Sequence, residues 1–72
     1  MNQTIGLLDV VALTQDIPQR RLARGQVGTV VEILGLGAYE VEFTDDAGQT
    51  YAQLALREHQ LLILHYQPQQ AA

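Results

Sequence analysis

Histidines and carboxylates are the side chains of this sequence that could bind a metal or transfer a proton. His59 and His65 are its two imidazoles, and Glu58 is the nearest carboxylate that could join them in a metal-dependent enzyme. A zinc site needs at least a third protein ligand, held in place by further hydrogen bonds. The spacing of these residues matches no established ligand pattern, which favours two ordinary surface histidines and predicts neither a metal nor another cofactor.

Paired glutamates offer a second possible chemistry. Glu40 and Glu42 share one face of a predicted strand, and Glu32 falls on its neighbour. Two nearby carboxylates can act as general acid and general base when burial shifts the pKa of one of them. On an exposed sheet face they would stay ionised, and the sequence favours this solubilising role.

The usual nucleophiles and phosphate-binding loops are missing. The chain has no serine, cysteine or lysine, which excludes a Ser-His triad, a thiolate nucleophile and a Schiff-base lysine. Gly25 and Gly28 do not form a phosphate-binding loop, because they lead into a strand without a lysine or a following helix. Asp45 and Asp46 precede Gly48 but lack the ligand spacing of a calcium loop. We therefore expect no enzymatic activity.

Composition predicts one small folded domain with an acidic surface. The chain has 72 residues, a 47% hydrophobic content and a formal net charge of −4, so packing must hold the fold without disulfides. Its cations are four arginines, Arg20, Arg21, Arg24 and Arg57, too few for a general phosphate-binding surface. No apolar run approaches the roughly 20 residues that span a bilayer, and the first residues lack the basic region of a signal peptide. We expect a cytoplasmic protein.

Five short runs of strand-forming residues alternate with turn signals, which is the pattern of an all-β domain. The runs cover residues 9–13, 26–33, 39–44, 50–56 and 61–65. The longer segment 14–23 contains Ile17-Pro18, which predicts a protruding loop. Residues 57–59 are too few for an α-helix and predict a single 3₁₀ turn.

Alternation and glycines define the core and the turns. Tyr39, Val41 and Phe43 alternate with glutamates and are predicted to face the core, and in the next run Ala52, Leu54 and Leu56 form the corresponding face. Glycines at positions 35, 37 and 48 suit hairpin turns. Gly25 and Gly28 open a β-branched run in which Val27 and Val30 are predicted core residues. A glycine at 28 lets this strand bend, or lets another backbone pack closely over it.

The order of these elements predicts a single small SH3-like five-stranded barrel. A long first loop, tight hairpins and a 3₁₀ turn before the last strand are its features. The barrel is predicted over residues 7–66, with a loose lead-in at 1–6 and a disordered tail at 67–72.

Several blocks of the chain, taken together, resemble one small bacterial family, the domain of unknown function DUF4926. They are Leu8-Asp9-Val10-Val11-Ala12-Leu13, Asp16-Ile17-Pro18, Gly25-Gln26-Val27-Gly28-Thr29-Val30-Val31-Glu32, Tyr39-Glu40-Val41-Glu42-Phe43 and Gly48-Gln49-Thr50-Tyr51-Ala52. The resemblance covers about residues 7–65. It implies no activity and no site residues. It does imply that a second small protein is encoded beside this one, in an arrangement resembling toxin and antitoxin pairs.

The first loop carries the residues that we predict to bind a partner. Ile17, Arg20, Arg21, Leu22 and Arg24 combine apolar and cationic groups, and arginine is enriched at the centres of interfaces where lysine is depleted. We therefore expect a protein-interaction module, such as the small antitoxin-like subunit of a two-protein bacterial system.

Two alternatives remain for the binding partner. The three loop arginines could instead contact nucleic acid, although that would normally require basic and aromatic residues interleaved on one face. The run 61–64 is apolar on both faces, so its outer face needs a cover, which a second copy of the chain could supply. No membrane partner is expected.

Overall fold

The computed structural model describes residues 4–68. This part of the chain contains five antiparallel strands and two single-turn 3₁₀ helices, joined by loops. The strands are β1 (Val10–Leu13), β2 (Val27–Gly35), β3 (Ala38–Thr44), β4 (Thr50–Arg57) and β5 (Leu61–Ile63). The first 3₁₀ helix spans Pro18–Arg20 between β1 and β2, and the second spans Glu58–Gln60 between β4 and β5. The all-β prediction is confirmed, and the 3₁₀ turn lies one residue later than expected.

The strands form one sheet in the order β4-β3-β2-β1-β5. Each strand pairs antiparallel with its neighbours. β4 and β5 are the two edges of this sheet, and the described residues do not pair them with each other. A closed barrel therefore stays a prediction.

Alternation along the strands places the core on one face of the sheet. Tyr39, Val41 and Phe43 are buried, as predicted. On β4, Leu54 and Leu56 are buried, and Ala52 packs against the same cluster. These side chains meet because residues two apart on a strand project from the same face.

The prediction for β2 is right for Val30 and wrong for Val27. Val30 is fully buried, whereas Val27 is 46% exposed. The two residues are three apart, so a period of two sends them to opposite faces of the sheet. Gly28 and Val30 point inward, and Val27 points outward beside its cross-strand partner Ala12.

Gly28 lies where β3 packs tightly against β2. A Cβ at this position would stand 2.7 Å from Val41 Cγ1, 2.9 Å from the Glu42 carbonyl oxygen and 3.0 Å from Phe43 Cδ2. Contacts this short leave room for a hydrogen atom only. The close approach therefore supports the structural reason given for this glycine.

The β3–β4 hairpin turn is fixed by its first aspartate. Asp45 Oδ1 accepts hydrogen bonds from the backbone N–H groups of Ala47 and Gln49, both at 2.9 Å. Gly48 adopts a left-handed φ of 82°, as its turn position predicts. The acidic pair therefore serves a turn, as expected.

Ile5 shows that the chain packs before β1 begins. It is 3% exposed and belongs to the core cluster, although the sequence suggests a loose lead-in over residues 1–6. A lone isoleucine outside any alternating run gives no periodic signal, so its burial could not be anticipated. The predictions for residues 1–3 and 69–72 lie outside the described residues.

None of the helices in the described range 4–68 has the length and apolar character needed to cross a lipid bilayer.

Candidate protein-interaction surface

The loop between β1 and β2 folds back onto the core and does not protrude as predicted. Ile17 and Leu22 are 5% and 4% exposed, and they pair with each other in an isolated antiparallel bridge. The Ile17 N–H donates to the Leu22 carbonyl at 2.8 Å, and the Leu22 N–H donates back at 3.2 Å. These two side chains are therefore core residues, and the exposed part of the predicted site consists of its arginines.

Backbone hydrogen bonds hold the arginines on a defined platform. The N–H of Arg20 donates to Ile17, and that of Arg21 donates to Pro18, both at 3.0 Å. Arg21 ends the first 3₁₀ helix in a left-handed conformation with φ of 56°. The Arg24 N–H donates to Asp16 Oδ1 at 2.8 Å. The three guanidinium groups thus extend from a loop whose backbone is already ordered.

One arginine joins the loop to the edge of the sheet. Arg20 Nη2 lies 3.4 Å from the carbonyl oxygen of Gln53, which it approaches as a hydrogen-bond donor. Gln53 is on β4, an edge strand of the sheet. The contact is long for a hydrogen bond and exposed, so it contributes little stability. It does show that the loop and the β4 edge form one continuous surface.

A groove runs between this loop and β4. It has a volume of about 400 Å³ and is lined by Ile17, Gln19, Arg20, Leu54, Ala55, Leu56 and Gln60. Its floor is apolar, because Ile17, Leu54 and Leu56 belong to the core cluster. Arg20 is the charged residue on its wall. The groove therefore combines an apolar floor with one cationic side chain.

His59 and His65, which the sequence predicts to be surface residues, are exposed. His59 and Glu58 lie on the second 3₁₀ helix, and His65 follows β5. Within residues 4–68 no group of three or more histidine, cysteine, aspartate or glutamate side chains is placed to hold a metal ion.

The strand glutamates form hydrogen bonds across the outer face of the sheet. Glu42 accepts a hydrogen bond from Thr50 Oγ1 at 2.7 Å, and Glu40 accepts one from Gln53 Nε2 at 3.2 Å. Glu32 lies directly opposite Glu40 in the β2–β3 register. The three carboxylates share this face, on which Glu32 is exposed and Glu40 and Glu42 are half-buried.

Large apolar side chains are exposed at the tip of the β2–β3 hairpin and on the outer face of the other edge strand. At the tip, Ile33 and Leu34 are about half exposed and Leu36 is fully exposed. On β5, Leu61 is buried and Leu62 is 58% exposed, so the run 61–64 presents one apolar face outward, as its composition predicts. These residues add apolar surface outside the arginine loop.

The β4 edge is the part of this surface that the sequence does not reveal. Gln53, Ala55 and Gln60 carry no chemical signature in the sequence. Their relevance comes from register and edge position, which only the paired strands define. The alternation of apolar residues in β4 indicates which side chains face the core, but not which strand of the sheet stays unpaired.

The comparisons with known proteins identify a family and no individual relative. Neither the curated proteins nor the solved structures contain a significant match. The model of the family described as "Domain of unknown function (DUF4926)" matches residues 7–63. This range contains all five strands and the arginine loop, so the chain belongs to the DUF4926 family.

Proposed function

We propose that this chain is a protein-interaction module built on an SH3-like barrel, acting in the cytoplasm as the small antitoxin-like subunit of a two-protein bacterial system. Its partner site is the exposed arginines of the β1–β2 loop together with the adjoining groove along β4. The module acts by binding and carries out no reaction of its own.

The barrel proposal is supported by the order of the elements. The strand order β4-β3-β2-β1-β5 places the last strand beside the first, and a single 3₁₀ turn precedes that last strand. The longest connection lies between β1 and β2. Tight packing of β3 over Gly28 is consistent with the strong curvature that a small barrel requires.

The single observation that carries the binding proposal is the placement of the arginines beside an apolar groove. Arg20, Arg21 and Arg24 are exposed on an ordered loop, and Arg20 lines a groove whose floor is formed by buried aliphatic side chains. Interface centres combine arginine with desolvated apolar surface in this way. An ordered loop also loses little conformational entropy on binding.

Affinity purification from the protein's own cells tests this proposal. We expect the tagged chain to retain one protein partner in stoichiometric amount at about 0.15 M salt, the ionic strength of the cell interior. A variant with Arg20→Gln, Arg21→Gln and Arg24→Gln should lose that partner. Asp46→Asn is the matched control, because it changes an exposed charge in the β3–β4 turn, outside the arginine loop, and it should retain the partner.

Two results would refute the proposal. One is the absence of any stoichiometric protein partner. The other is recovery of nucleic acid with the parent chain and its loss with the arginine variant, which would assign the same arginines to phosphate contacts.

A further inference from the structure

We propose that the free edge of β4, from Gln53 to Arg57, receives an extended acidic segment of the partner protein as an additional strand of the sheet. This inference rests on the proposed function, with the barrel open between β4 and β5, and it specifies that the partner's segment is acidic. The binding mode is addition of a strand to an exposed sheet edge, in which backbone hydrogen bonds supply affinity and alternate side chains supply specificity.

Two hydrogen bonds show which backbone groups of β4 face outward. The Gln53 carbonyl is approached by Arg20, and the Arg57 N–H donates to Gln60 Oε1 at 2.8 Å. Neither partner is on β3, so these backbone groups point away from the sheet. Because the direction alternates along a strand, Ala55, which lies midway, also points its N–H and C=O outward.

The pairing of β3 with β2 also shows that the backbone groups of Gln53 point outward. Val30 exchanges backbone hydrogen bonds with Leu8 and Asp9, at 2.7 and 2.9 Å, and so faces β1. The register then turns Glu42 of β3 toward β2. Its partner on β4, Gln53, therefore has no ladder hydrogen bond to β3. Two independent parts of the sheet thus give the same outward set.

The outward-facing backbone groups of residues 53–57 form a short stretch of edge, called the window below. At each end of this window one group already has a hydrogen-bond partner. Arg20 covers the Gln53 carbonyl at one end, and the Gln60 side chain covers the Arg57 N–H at the other. Ala55 stands between them with a methyl side chain that obstructs nothing. Between these two covered groups the edge is open, and an open stretch of edge is a template for another strand. The groove of about 400 Å³ lies along the same residues and gives that strand room.

The charges around the window indicate which kind of segment would bind there. Arginines stand at both ends of this window: Arg20 contacts the Gln53 carbonyl at one end, and Arg57 ends β4 at the other. Arg21 and Arg24 lie on the same loop as Arg20. The chain as a whole is acidic, with a net charge of −4. Glu40 and Glu42 lie one strand farther in, where Gln53 and Thr50 donate to them. A strand that carries carboxylates is therefore favoured at the edge.

The same charges disfavour a second copy of this chain. Two β4 strands paired antiparallel about the window would bring the Arg20 end of each copy to the Arg57 end of the other. Cations would then meet cations at both ends of the pairing, and juxtaposed like charges are unfavourable. The partner segment must therefore come from a different protein.

Amide chemical shifts in a peptide titration test the proposal. The probe is a capped peptide of alternating valine and aspartate, as long as β4, and its control has lysine in place of aspartate. We expect shifts at Gln53 and Ala55 and in the first 3₁₀ helix, and about tenfold weaker binding of the lysine peptide.

Ala55→Pro separates edge pairing from other contacts. Proline removes the outward N–H at this position and leaves the β3–β4 ladder intact. Edge strands tolerate proline where the N–H points away from the sheet. Its matched control is Ala55→Val, which keeps the N–H. We expect Ala55→Pro to reduce affinity for the acidic peptide about tenfold, and Ala55→Val to retain most of it. Arg20→Gln, which leaves β4 unchanged, should weaken binding several-fold.

The outcomes distinguish this inference from the proposed function. Equal peptide affinity for Ala55→Pro and Ala55→Val, shifts confined to other surfaces, or no binding at all would overturn the edge proposal. A parent dimer that Ala55→Pro converts to a monomer would also overturn it, by making a second copy the occupant. If a cellular partner is retained by Ala55→Pro but lost with the arginine variant, the interaction module stands and the edge proposal falls.

Discussion

Gly28→Ala tests whether close packing is the reason for glycine at this position. The added Cβ would meet Val41 Cγ1 at 2.7 Å and the Glu42 carbonyl oxygen at 2.9 Å, and the backbone oxygen cannot turn aside as a side chain can. Forcing an extra methyl group into a packed site costs about 1–3 kcal/mol. Replacing glycine restricts the unfolded chain and returns about 0.4–1 kcal/mol. The difference between these two ranges is about 0–2.6 kcal/mol. Because the Glu42 carbonyl cannot move aside, we expect a net loss in the upper part of that range, about 1–2 kcal/mol.

For a domain of this size that loss corresponds to a fall in melting temperature of roughly 4–16 °C. Thermal and urea unfolding followed by circular dichroism measure it on the isolated chain. Gly6→Ala is the matched control, since its Cβ would meet only Asp9 Oδ2 at 3.7 Å, and it should stay within about 0.5 kcal/mol of the parent. Gly28→Val should lose more than Gly28→Ala. A Gly28→Ala chain that melts within about 2 °C of the parent would refute the packing argument.

Three further predictions concern the core, the loop and the partner. Phe43→Ala should cost about 3–5 kcal/mol because its ring is fully buried, whereas Glu42→Ala should cost under about 0.5 kcal/mol in urea unfolding; equal losses would contradict the inward face. Leu22→Ala should cost about 2–5 kcal/mol, and a stable variant that only loses its partner would show that Leu22 serves the interface. Gel-shift assays should detect no nucleic-acid complex at about 0.15 M salt; a micromolar complex abolished by Arg21→Ala would point to phosphate recognition.

Strand positions were predictable wherever the side chains alternate cleanly. Tyr39, Val41 and Phe43 stand between polar residues, so their inward direction follows from the period of a strand. The prediction for Val27 is wrong because β2 carries apolar residues on both faces near its start, so composition does not define whether its odd- or even-numbered residues face the core. The packing of β3 over Gly28 shows that the even-numbered residues 28 and 30 face the core.

The candidate site was less accessible from the sequence than the core. Ile17 and Leu22 are separated by a proline turn and two arginines, and nothing local indicates that they bridge each other and join the core. Arg20, Arg21 and Arg24 are exposed, and their role in binding a partner stays a prediction. The β4 edge could not be found, because its free backbone groups depend on the order of all five strands.

In the loop between β1 and β2, the residues that anchor the loop to the core are different from those that we propose to bind a partner. Ile17 and Leu22 hold it to the core, while Arg20, Arg21 and Arg24 lie outside that cluster and remain exposed. Substitutions at the three arginines therefore leave the folding free energy nearly unchanged. Duplicated copies of the gene can therefore diverge at these three positions while keeping the same sheet. On the proposed function, such copies could bind different partners through changes in exposed residues alone.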